Sequence, residues 1–224
     1  MSHSSRSALA RRVPKDLLGL KRLFSRAESQ YAELSSRAEA SVTRWVWTTS
    51  SRYHLDPLFF CDKQKRPGRV GKPPRDKAGW VAYGFSDDDR ILAQHQYVLT
   101  LPGRRYETFY VESKDRILGY HFDQDDARAC INVSQLRFSD EQHPSVFQRY
   151  AIHGWVTRSF VSSKGRIRSY DETFQQRDDP RQRLSGELRY SLDNRVEHWV
   201  RWPGSRTRRL EFRGTPPGNP FLRN

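Results

Sequence analysis

Four arginines, Arg90, Arg116, Arg166 and Arg195, each follow a polar turn and open a run of alternating apolar and polar residues. Five positions beyond the first three stand His95, His121 and Asp171. Two histidines and a carboxylate are the ingredients of acid–base catalysis or of a metal-binding facial triad. Side chains two apart on a strand share a face. On that parity Ile91, Ile117, Ile167 and Val196 lie with His95, His121, Asp171 and Val200, with Ala93, Gly119, Ser169 and His198 between them. Gln94, Tyr120, Tyr170 and Trp199 fall on the opposite face. If the first face lines an interior, its small residues leave a pocket in which His95 or His121 acts as general base or holds a ligand. If the aromatic face is inward, the interior is packed and the histidines are surface residues. A metal is not expected. Equivalent strands of successive hairpins lie roughly 9.5 Å apart, whereas metal ligands converge to ~2 Å from one ion. No nucleophile elbow, phosphate-binding glycine loop, His-Glu-x-x-His or Cys-x-x-Cys motif occurs, and no cofactor is expected.

A second chemistry is carried by charge. The formal net charge is +14, and the 40 basic residues are mostly arginine, the side chain that pairs with carboxylates and phosphates in a planar fork. Two segments concentrate it. Residues 62–77 hold Arg66, Arg69 and Lys72 among further lysines, arginines, prolines and glycines, with no aromatic residue between them. Residues 201–209 hold Arg206, Arg208 and Arg209 beside Trp202. These seven residues are the candidates for an acidic protein surface or an anionic ligand, and nucleic acid is a further possible partner. Three functions remain in view: a non-catalytic binding module for an acidic or amphipathic partner, a cavity enzyme working through His95, His121 and Asp171, and a nucleic-acid binder using the basic loops.

The elements that must position these residues come from the periodicity. The arginines are 26, 50 and 29 residues apart, a unit of two strands and their turns with one degenerate copy in the middle gap. Alternating runs fill residues 79–214, separated by Gly, Asn, Asp and Pro turns. The expected fold is mainly β, an up-and-down antiparallel meander of about ten strands curling into a barrel or half-barrel. One long amphipathic helix precedes it. Leu17, Leu20, Phe24, Ala27, Tyr31, Leu34 and Ala38 are spaced three and four apart, which makes a single apolar stripe. Ala27 and Ala38 give that stripe little area for pairing with a second copy, so the helix is expected against its own sheet, across its mouth or open side. The organisation reads as a basic arm over 1–13, helix and lead-in strand over 14–48, a basic Pro/Gly-rich loop over 49–78, the hairpin-repeat domain over 79–214 and an extended tail over 215–224. Two cysteines, Cys61 and Cys130, make no disulfide framework. With no secretory apolar stretch and no membrane-length run, the expected setting is cytoplasmic, away from membranes.

Overall fold

The structure, a computed structural model, describes residues 13–124, 128–140, 143–163, 166–176, 179–191, 195–214 and Phe221. The expected arm and tail therefore lie almost wholly outside the described residues, as do the turn residues Lys164, Gly165, Asp193 and Asn194.

Pro14 precedes a 3-10 turn, Lys15–Leu17, that runs into helix α1, Leu18–Ser41. The apolar stripe decides which way α1 faces. Leu17, Leu20, Ala27, Tyr31 and Ala38 are buried, and Phe24 and Leu34 pack beside them. The chain then forms β1 (Arg44–Thr48), a short helix α2 (Phe59–Asp62), β2 (Val70–Gly71), β3 (Val81–Phe85), β4 (Ile91–Tyr97) and β5 (Arg105–Glu112). It continues with β6 (Arg116–Asp123), β7 (Cys130–Phe138), β8 (Pro144–Ala151), β9 (Gly154–Ser163) and β10 (Arg166–Gln176). The last strands are β11 (Gln182–Tyr190), β12 (Val196–Arg201) and β13 (Arg209–Gly214).

All thirteen strands belong to one sheet, an unbroken antiparallel meander from β13 down to β3, followed by β1 and β2. Over residues 79–214 the expected meander of about ten strands has eleven, β3 to β13, and β1 and β2 extend the sheet at one edge. β13 and β2 are its two end strands and do not pair, so the sheet is open.

It is nevertheless strongly curled. β1 and β13 are eleven strand intervals apart, which would be ~53 Å in a flat sheet. The eleven residues from Thr48 to Phe59 reach at most ~38 Å when fully extended, yet α2 packs on β13. The sheet must wrap around the segment that carries α2. Its inner face forms one core: Leu55, Leu58 and Cys61 from that segment meet Tyr83, Ile117, Leu136, Phe147, Phe160, Tyr170, Leu188 and Val196. The expected loop over 49–78 thus contributes core residues and two short elements.

The outer face carries α1. Its stripe packs on Ala93, Phe109, Leu118, Tyr120, Phe122, Val133 and Trp155. The helix therefore lies on the convex side rather than across the open side, because these residues give the convex face of β4–β9 its own apolar patch. Ala27, fully buried, lets the helix approach closely, while Tyr31 meets Phe109 and Phe122 edge-on at 5.7 and 5.1 Å. Each such buried large side chain contributes about 1.5–3 kcal/mol.

Candidate anion-binding site

Strand parity is interrupted by bulges, and this separates the three candidate catalytic residues. The register shifts between Gly84 and Phe85 where they pair with β4, so Ile91 faces inward while Ala93 faces the helix. It shifts again between Ile167 and Ser169, which places Ile167 and Tyr170 on the same inner face. His95 pairs with Glu107 and His121 with Thr108, consecutive residues of β5 that point to opposite faces. His95 packs at a tilt against Trp45 on the outer face, 3.6 Å from Glu107. His121 is on the inner face, its Nδ1 2.8 Å from the Thr108 hydroxyl. Asp171 is exposed, next to inward-facing Glu172 and so on the outer face. The sheet itself lies between His121 and the other two, and no common pocket gathers them. Burial holds both imidazoles at a pKa of about 4, with the charges of Arg105 near His95 and Arg149 near His121 acting in the same direction.

A different charged constellation occupies the inner face. Arg158 of β9 lies on the same strand face as Val156 and Phe160. Its Nη1 is 2.6 Å from Asp56 Oδ2, and its other nitrogens pair with Asp62 and Glu172. All four side chains are 20% exposed or less. Burial opposes the guanidinium charge, but three carboxylates outweigh it and keep Arg158 ionised. The same burial raises Asp62 to about 7 and Glu172 above its ordinary value, with Arg158 pulling both back down. One cation faces three carboxylates in a low dielectric, which is why burial pushes Asp62 and Glu172 upward despite the ion pairs. Beside it the Tyr170 hydroxyl lies 2.9 Å from His198 Nε2. Buried His198 Nδ1 is 3.8 Å from Asp62 Oδ1 and has no hydrogen-bond partner among the described residues. Gly186, opposite Tyr170 across the β10–β11 pair, leaves room for this ring; a Cβ there would stand 2.1 Å from it.

The cluster is a clamp. Asp56 and Asp62 belong to the segment around α2, Arg158 and Glu172 to β9 and β10. Their pairing fixes the segment to the sheet and determines where the chain emerges after α2. There the chain turns by a Schellman motif: Lys65 N–H donates to Phe60 C=O at 3.2 Å and Gln64 N–H to Cys61 C=O at 3.3 Å. Gln64 takes the left-handed conformation, φ 50°, in the place where glycine is usual. Its side-chain amide reaches Glu211 of β13 at 3.5 Å, and the other carboxylate oxygen of Glu211 accepts the indole N–H of Trp202 at 2.9 Å.

This contact joins the two basic segments across the open seam of the sheet. Lys63, Lys65, Arg66 and Arg69 are exposed on one side, and Arg206 and Arg209 on the other. Among the described residues none of these six side chains pairs with an acid. Trp202 and Leu210, on the second segment, are 45% and 40% exposed. Arg208 differs: it pairs with Glu187 and lines a groove of about 540 Å³ with Arg168, Arg189 and Tyr190. Lys72 is exposed just beyond β2. All seven candidate anion-binding residues are exposed; Arg208 pairs with Glu187, and Trp202 donates its indole N–H to Glu211.

No family model, curated protein or solved structure matches this chain. Among the described residues no three His, Cys, Asp or Glu side chains are placed to share a metal ion, and no helix is long and apolar enough to cross a membrane.

Proposed function

We propose that the protein is a non-catalytic binding module that holds an acidic, amphipathic segment of a partner protein at the seam. The observation that supports this reading is the convergence of unpaired cations from two segments far apart in sequence, joined through Gln64, Glu211 and Trp202. Exposed charges unneutralised by neighbours attract an anionic partner and steer its approach. Exposed Trp202 and Leu210 among them add an apolar surface, which suits a segment that alternates acidic and apolar residues. Trp and Arg are the side chains most often dominant at interfaces.

The clamp belongs to the same reading. Its carboxylates are all engaged by Arg158, and its consequence is to present the loop after α2 at the seam in one position. A preformed surface loses less conformational freedom on binding than a mobile loop.

The test is binding of a fluorescent peptide of alternating Glu and Leu at low salt. The native protein is expected to bind with an affinity that falls as salt rises. The variant Arg66→Gln/Arg69→Gln/Arg206→Gln/Arg209→Gln is expected to lose that binding while its unfolding transition is unchanged, since all four side chains are exposed. Equal binding by both proteins refutes the proposal.

A further inference from the structure

A second surface lies on the outer face, beyond the C-terminal end of α1, and does not depend on the seam. Trp45 and Trp47 alternate with inward-facing Val46 on β1 and so point the same way. Trp45 packs on His95 with ring centres 4.7 Å apart, and Trp47 stacks on Tyr97 at 5.8 Å with the planes 22° apart. Each tryptophan pairs with a ring two strands away, on β4, because only Ala82 and Gly84 lie between them on this face of β3. Gly84 is required there: a Cβ would stand 2.7 Å from Val42 and 3.2 Å from the Trp45 ring. Small residues on β3 thus open a shelf on which two ring pairs sit side by side.

The two pairs are two residues apart along their strands, ~7 Å. Trp45 is 38% exposed, Trp47 and Tyr97 are half-buried, and the His95 side chain behind Trp45 is 14% exposed. Immediately beside Tyr97 is a cleft of about 350 Å³ lined by Arg75, Lys77 and Arg105, with Asp76 the acid in its wall. The ammonium of Lys77 is 5.6 Å from the centre of the Trp47 ring and 5.5 Å from that of Tyr97. Arg105 is held by Glu107, with nitrogens 2.7 and 2.8 Å from its Oε1, and lies 5.9 Å from the Tyr97 ring centre. Arg75 and Lys77 are exposed and pair with no acid among the described residues.

Rings in a row with cations at one end supply the two halves of a single-strand nucleic-acid site: bases stack on the rings and phosphates lie at the charges. The basic loop alone has no aromatic residue, and the sequence shows only its charges. The fold supplies the rings by bringing Lys77 to Trp47 and Tyr97. We propose that this shelf binds a single-stranded nucleic acid, with neighbouring bases on the Trp45/His95 and Trp47/Tyr97 pairs and the backbone that continues past the second base at Arg75 and Lys77.

The experiment measures fluorescence anisotropy of a labelled ten-residue oligothymidylate with the full chain at several salt concentrations. Native protein is expected to bind, and Trp45→Ala, which removes one stacking partner, to weaken binding roughly ten-fold. Arg75→Gln/Lys77→Gln, both exposed and outside the two cores, is expected to weaken binding and to flatten the salt dependence by roughly 0.7 in log–log slope for each phosphate left without its cation. The seam variant Arg66→Gln/Arg209→Gln, which removes two charges and no ring, is expected to bind within about three-fold of native. The proposal is overturned if the seam variant loses as much as Arg75→Gln/Lys77→Gln, because binding then follows bulk charge. It is also overturned if Trp45→Ala folds and binds as native, or if thymidine monophosphate competes as well as the oligomer.

Discussion

Gln64 and Glu211 stand 147 positions apart in sequence and share a hydrogen bond across the open seam of the sheet. That bond closes a route that begins at Arg158. The buried guanidinium fixes Asp56 and Asp62, these fix α2, and the turn after α2 delivers Gln64 and the lysines and arginines around it to β13.

Arg158 is therefore the residue whose removal should reach furthest. Arg158→Ala leaves Asp56, Asp62 and Glu172 buried without the guanidinium that pairs with all three, and truncating one partner of a buried ion cluster costs about 3–5 kcal/mol. Urea unfolding should register a destabilisation of that size. Binding at the seam should also weaken in any of this variant that remains folded, since the loop is no longer held.

Gly186→Ala should be destabilising by about 1–3 kcal/mol through overpacking, because the new methyl meets the Tyr170 ring. Tyr170→Leu vacates that space. The double variant should therefore be destabilised by less than the two single effects added, a departure that a double-mutant cycle in urea resolves.

Tyr31 donates its hydroxyl to Glu107, whose other oxygen is engaged by Arg105. Burial raises Tyr31 to about 12, with the bond to Glu107 acting in the same direction, so the hydroxyl keeps its proton. Tyr31→Phe should cost about 1–3 kcal/mol, the penalty of leaving a buried acceptor short of one donor. Thermal unfolding of the variant measures it.

The dependence of stability on pH has a definite sign. Desolvation lowers His54, His95, His121 and His198 from 6.5 to about 4. Between those values the unfolded chain takes up protons that the folded chain refuses. Their contribution is complete above pH 6.5 and is lost as pH falls toward 4. Asp62, raised by burial from 3.8 to about 7, acts in the opposite sense: its contribution is greatest at low pH and declines as pH rises through 7. Glu172, also raised, joins it. Four histidines outnumber two carboxyl groups, so the urea midpoint should rise from pH 4 to pH 6.5. His121→Gln, which cannot take up the proton, should flatten that rise.

Much of this architecture is legible in the chain. The three-and-four spacing from Leu17 to Ala38 places α1 on its own sheet, and the alternation between residues 80 and 212 yields every strand there. The bulges are not legible. One extra residue at Leu92 turns His95 to the face opposite His121, and one at Arg168 does the same to Asp171, which is why the three share a parity in sequence and not in space. The clamp does leave a trace. Arg158 between Val156 and Phe160, and Glu172 between Tyr170 and Phe174, are charges on the apolar parity of their strands, the mark of a buried ion pair. Which carboxylates Arg158 meets depends on how the 53–62 segment crosses the sheet, and that path is set by long-range curvature rather than local pattern. The basic segments are visible as charge, but their meeting at the seam depends on the same curvature.

The most direct measurement is affinity for the acidic amphipathic peptide, taken against salt, with the two halves of the seam altered separately. Arg66→Gln/Arg69→Gln and Arg206→Gln/Arg209→Gln should each weaken binding and each reduce its salt dependence, because both segments contribute charge to one site. If either pair leaves both affinity and salt dependence as in the native protein, the segments do not form one site and the seam is not where the partner binds.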